Sequence, residues 1–210
     1  QRADYAVDFH GGGVILNFLP ATLFVANGDP VGDQARFILA KAFGAPYCML
    51  FDAETMGVAV GIDGAMLRKD IIGISGEYGG SAEVTPDALD LCRSGIGSLL
   101  AHLGVFPGTR SRPASERSIL VDVRHDECYV VAQTEGVFEP IASLGEAVTA
   151  GDPLARIHRP NAPREASLTI PSPIDGIVMA RRALARSSPG DWLFIVGCPV
   201  NELLFQGARS

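Results

Sequence analysis

The chain has 210 residues, 47% hydrophobic and 20% charged, a globular balance sufficient for one large domain or two small ones. A formal net charge of -7 and a pI near 5.0 argue against phosphate-backbone binding, so nucleic acid is not an expected partner. Cys48, Cys92, Cys128 and Cys198 form no C-x-x-C and no close pair, and no run of about 18 apolar residues could span a membrane; a cytoplasmic protein without a disulfide framework is expected.

In chain order, the apolar run Tyr5 to His10 closes on Gly11, Gly12 and Gly13, as a buried parallel strand does where it ends in a loop, with Asp8 and His10 on one face. Ala35, Ile38, Leu39 and Ala42 recur at helical spacing over 33–43, stopped by Gly44 and Pro46. A strand follows near Tyr47 to Phe51. Residues 53–68 are ambiguous because Gly57, Gly61 and Gly64 weaken a helix. Asp70 to Ser75 reads as a second buried strand that delivers Glu77 into the Gly79-Gly80 turn. Thr85 as N-cap, Pro86 at the first position, and Asp87 and Asp90 near the positive end of the dipole start a helix that runs to His102 or Leu103. This rhythm predicts an α/β layer with a mostly parallel sheet over residues 1–106.

Residues 107–117, with Pro107 and Pro113, read as a linker. Beyond them helical periodicity vanishes, and short strands predict a small all-β domain over 118–200, leaving a tail at 201–210. A weak repeat offset by about 40 residues sets Gly136, Leu144, Gly151, Leu154 and Ile157 against Gly176, Leu184, Gly190, Leu193 and Val196. The pattern, with Ile170 to Val178, resembles the barrel-sandwich of biotinyl and lipoyl carriers. The only lysines are Lys41 and Lys69, so no lysine is available in this region to carry a swinging cofactor.

His10 and Glu77 stand out by position. Each lies at or just past the end of a predicted strand, where open α/β sheets place ligands, and each is followed by glycines that allow close approach. Asp8 is open between a partner for His10 and a surface or capping role. His102 suits dipole compensation, while His125 and His158 show no ligand spacing. Arg181, Arg182 and Arg186 form a basic cluster, open between a solvated strand face and a contact for an anionic substrate or a neighbouring subunit.

The order of Asp8-Phe-His-Gly-Gly12, Ala40 to Tyr47, Gly76-Glu-Tyr-Gly-Gly80 with Thr85-Pro86, and Gly176 to Arg182 resembles the succinylglutamate desuccinylase/aspartoacylase family. Within it, Ala40 to Tyr47 and the Ala-Arg-Arg ending are most like the N-acetyl-diaminobutyrate deacetylases of ectoine breakdown. The resemblance implies a zinc carboxypeptidase-like α/β domain followed by a β domain. It also implies one zinc ion per active site and hydrolysis of the amide of a small N-acyl amino acid, with His10 as a zinc ligand and Glu77 as the general base. The family's other ligands, an upstream His-x-x-Glu, have no counterpart here, and neither has its upstream Asn-Arg pair, so a C-terminal portion is expected. Tyr78 and Ser81-Ala82-Glu83 depart from the usual pattern after the base and leave the substrate open. A zinc carboxypeptidase acting on peptides and a non-catalytic binding or assembly relative are the alternatives, and a homo-oligomer is compatible with each.

Overall fold

The computed structural model describes residues 3–53, 61–106 and 118–205. In chain order the elements are β1 (Tyr5–His10), β2 (Leu16–Phe18), β3 (Ala21–Ala26), α1 (Pro30–Phe43), β4 (Tyr47–Asp52), α2 (Ile62–Leu67), β5 (Ile72–Glu77), α3 (Pro86–His102) and β6 (Ile119–Asp122). Eight further strands follow: β7 (Tyr129–Val131), β8 (Gly136–Pro140), β9 (Ala147–Val148), β10 (Pro153–His158), β11 (Leu168–Pro171), β12 (Gly176–Arg182), β13 (Arg186–Ser187) and β14 (Trp192–Pro199). The expected linker at 107–117 lies outside the described residues.

The sheet of the α/β part runs β1-β5-β3-β4-β6 and is mostly parallel, as expected, but mixed through one antiparallel pair. The pairs β1–β5, β3–β4 and β4–β6 are parallel, whereas β3 runs antiparallel to β5. Chain length supplies the reason. A parallel return requires a crossover of about a dozen residues or more, usually helical. The short, helix-free link between His10 and Ala21, much of it occupied by β2, cannot make that return, so β3 comes back in the opposite sense. The strand β3 has all six residues buried and no polar alternation to mark it in the sequence.

Local signals decide the helices. The α3 N-terminus is as expected, with the Thr85 hydroxyl accepting from the Ala88 amide. The first helix begins three residues earlier than its apolar periodicity suggests, at Pro30, because Asp29 accepts from the amides of Val31 and Gly32. Both helices pack on one face of the sheet through Phe37, Leu39, Phe43, Leu91 and Leu99 against Phe24, Leu50 and Ile74. Gly95 lets α3 approach α1, since a Cβ there would lie 2.3 Å from the Phe43 ring, which also stacks on Tyr78. Gly95→Ala is therefore expected to cost about 1–3 kcal/mol of overpacking, against a helix-propensity gain of about 1 kcal/mol. A lower midpoint in urea unfolding checks it, and an unchanged or higher one rejects this packing.

Beyond β6 two antiparallel sheets enclose a second core. One contains β7, β14, β12, β9 and β2, and the other runs β11-β10-β8-β13. Phe138, Leu154 and Ile157 meet Val178, Leu193, Phe194 and Val196 between them. Sheet membership crosses the expected boundary at both ends. Ile119–Asp122, assigned from sequence to the β domain, extends the α/β sheet beside β4, while Leu16–Phe18 from the first half pairs with β12. Strand β14 joins the two parts by pairing with β6 at Cys198 and Pro199 and with β12 along most of its length. The expected tail is partly packed, since Phe205 lies against Phe24 and Phe37 and Glu202 pairs with Lys41 at 2.6 Å.

Candidate active site

His10 and Glu77 are the last residues of β1 and β5, and they face each other as register partners. The sequence places the second strand at 70–75. It lies at Ile72–Glu77 instead, because the turn after α2 extends through Asp70, which takes a φ of 53°. Glu77 is therefore the end of a strand and not part of a turn. Its side chain shares a sheet face with Asp8, His10 and Ser75, opposite the face on which Ile74 meets the helices.

The loop after Glu77 is held by backbone bonds. The Tyr78 amide donates to the His10 carbonyl at 3.1 Å, and the Gly79 carbonyl accepts from Gly12 and Phe18. Gly79 has a φ of 109°, and a Cβ on Gly80 would strike the Leu16 carbonyl at 2.0 Å, so both glycines are required for this approach. Tyr78, the residue that departs from the expected pattern, folds back beneath Gly76 and packs its ring on Phe9 and Phe43.

The His10 ring is half exposed, and its Nε2 is engaged by the Asp8 carboxylate. That contact leaves Nδ1 as the nitrogen open to a further ligand. Glu77 sits differently. Burial pushes its carboxyl up to about 7, partly offset by His10 and reinforced by Asp8, and its Oε2 is buried without a hydrogen-bond partner. A carboxyl of that kind can take up and release a proton near neutral pH. It opens on a cavity of about 570 Å³ walled by Phe18, Leu23, Met49, Phe51, Tyr129 and Trp192, with Asp126 also at its lining.

Among the described residues, no three His, Cys, Asp or Glu side chains gather as a complete metal site. The donors that are present suit part of one. An oriented imidazole beside a buried carboxyl with an orphaned oxygen could supply one metal-ligating nitrogen and one proton acceptor. The remaining histidines lie elsewhere. His102 ends α3, His125 precedes the turn at Asp126–Cys128, and His158 pairs with Glu139 at 2.5 Å. Arg182 of the basic cluster is not on a solvated face; it is buried, binds the Arg186 carbonyl and pairs with Asp191 at 2.7 Å. Asp126, Tyr129 and Trp192 carry no sequence signal of a site, because the folding of β7 and β14 brings them to the cavity.

No protein-family model matches the chain. It is 30% identical over 204 residues to the N-alpha-acetyl-L-2,4-diaminobutyric acid deacetylase of Halomonas elongata, a match covering 96% of this chain and 58% of the relative. Among solved structures, the product-bound ectoine utilization protein EutE (DoeB) of Ruegeria pomeroyi superposes with a TM-score of 0.84 at 27% identity, over 93% of this chain and 58% of that one. A succinylglutamate desuccinylase/aspartoacylase of Rhodobacter sphaeroides gives 0.85 at 28% identity, over 95% and 60%. The chain thus spans about three fifths of the length of the relatives it matches. No helix among the described residues is long and apolar enough to cross a membrane. In sequence and fold the chain is similar to proteins of the succinylglutamate desuccinylase/aspartoacylase family.

Proposed function

We propose that this chain carries part of the active site of a zinc-dependent deacylase that hydrolyses the amide bond of an N-acyl amino acid. The observation that carries the reading is the register pairing of His10 with Glu77 at two adjacent strand ends, where Glu77 lines a cavity and has one buried, unpartnered carboxylate oxygen. Deacetylation of N-acetyl-diaminobutyrate is the favoured reaction within that class, because the Halomonas elongata relative bears that name and matches nearly the whole chain.

In this reading His10 would hold the metal through Nδ1, the nitrogen left open by the contact of Asp8 with Nε2. A zinc ion bound there would polarise the amide carbonyl and lower the pKa of a water toward about 7. Glu77 takes the proton from the attacking water and delivers it to the leaving amine, a task suited to a carboxyl already raised by burial to about 7. A zinc site generally takes three protein ligands or more, and the described residues gather no such set, so His10 by itself would hold zinc weakly.

The test is a metal analysis and a substrate panel on a polypeptide that also supplies the remaining donors. One zinc per site is expected, with faster turnover of acetylated diamino acids than of dipeptides. Preference for dipeptides would favour a carboxypeptidase, and absence of both zinc and turnover would favour a binding module.

A further inference from the structure

We propose that the cavity beside Glu77 is a subsite for a positively charged side chain, with Asp126 as its charge-selecting residue; this rests on the deacylase reading above. The lining is aromatic on several sides, through Phe18, Phe51, Tyr129 and Trp192, and among the described residues its carboxylic acids are Glu77 and Asp126. No lysine, arginine or histidine lines it among the described residues. Aromatic faces together with an unneutralised carboxylate favour an ammonium group and repel a carboxylate.

Asp126 is exposed, and its carboxylate has no hydrogen-bond or ion-pair partner among the described residues. Nearby Arg124 cannot neutralise it, because its guanidinium is held by Asp122 at 2.6 and 2.9 Å. Trp192 and Tyr129 pack with ring centroids 5.3 Å apart, and the Tyr129 hydroxyl donates to the Val123 carbonyl, which fixes the ring at the wall. Glu77 occupies the reacting end of the same space, so a substrate whose amide lies at Glu77 extends its side chain among these groups. An N-acyl amino acid ending in an ammonium fits, while one ending in a carboxylate meets two acids and no base. The subsite therefore distinguishes this chain from relatives named for succinylglutamate or aspartate substrates.

Trp192 is the only tryptophan in the sequence and is 45% exposed at this cavity, so its emission reports occupancy without turnover. The 210-residue chain is titrated with three ligands that differ only at the side-chain end: Nα-acetyl-2,4-diaminobutyrate, N-acetylnorvaline and N-acetylglutamate. A saturable emission change with the first, at least about tenfold weaker with the other two, is expected. Asp126→Asn should remove that preference while leaving the melting temperature unchanged. An equal response to all three ligands, no response to any, or an unaltered preference in Asp126→Asn would each overturn the subsite. The deacylase reading fails on a different result, unchanged turnover in Glu77→Gln, so the two failures are separable.

Discussion

Glu77→Gln is expected to lower amide hydrolysis by about 10²–10⁴-fold in a polypeptide carrying the complete metal site, and at the same time to stabilise the metal-free chain above neutral pH. Both effects come from one burial. The carboxyl rises from its usual 4.5 to about 7, chiefly through desolvation, so the folded state holds its proton more tightly than the unfolded state. Between those two values the folded form binds more protons, and stability falls as pH rises. The contribution of the neutral acid is complete below about 4.5 and lost as pH passes 7. At full burial that displacement corresponds to about 3 kcal/mol, and solvent reaching a half-buried group reduces it to about 2 kcal/mol. Glutamine is neutral throughout and escapes the penalty. Urea midpoints at pH 4 and pH 8 should coincide with wild type at the acid value and exceed it at the alkaline one. If turnover survives in Glu77→Gln, the carboxyl is not the base; if the alkaline stability gain is missing, it is not the buried group described here.

That coupling of a reactive carboxyl to a stability penalty is typical of a functional position, and it bears on what could be read in advance. Thr85-Pro86 marks a helix start through bonds made within four residues, and it reads correctly because nothing distant competes. The strand-end positions of Glu77 and His10 are legible through the same kind of local pattern, an apolar run followed by glycines. What sequence spacing does not contain is the β1–β5 register that sets them opposite each other, or the reversal of β3 that makes the sheet mixed. The strand Ala21–Ala26 is buried on both faces and lacks any alternation to betray it. Asp126 is least legible of all. An acidic residue in a short turn has no distinguishing pattern, and it reaches the cavity only because β6 adds to the α/β sheet while β14 folds back beside β7.

In a polypeptide carrying the complete metal site, His10→Ala is expected to weaken zinc binding by roughly 10²–10³-fold, to abolish turnover with it, and to leave the metal-free fold intact. Structural zinc sites are worth about 10–16 kcal/mol across four ligands, so one ligand accounts for about 3–4 kcal/mol. The fold depends on the ring far less. It is half exposed, and among the described residues its side-chain partner is Asp8, itself partly buried on the same strand. A stability change within about 0.5 kcal/mol is expected on those grounds. Asp8 provides the graded control. Asp8→Asn keeps an acceptor beside Nε2 but removes the charge that orients the ring and strengthens its donation through Nδ1, so zinc affinity should fall by about 10–100-fold. Competition against a chromogenic chelator ranks wild type above Asp8→Asn above His10→Ala. Equal affinities for all three would remove His10 from the metal site, and a His10→Ala chain that unfolds without metal present would assign the ring a structural role instead.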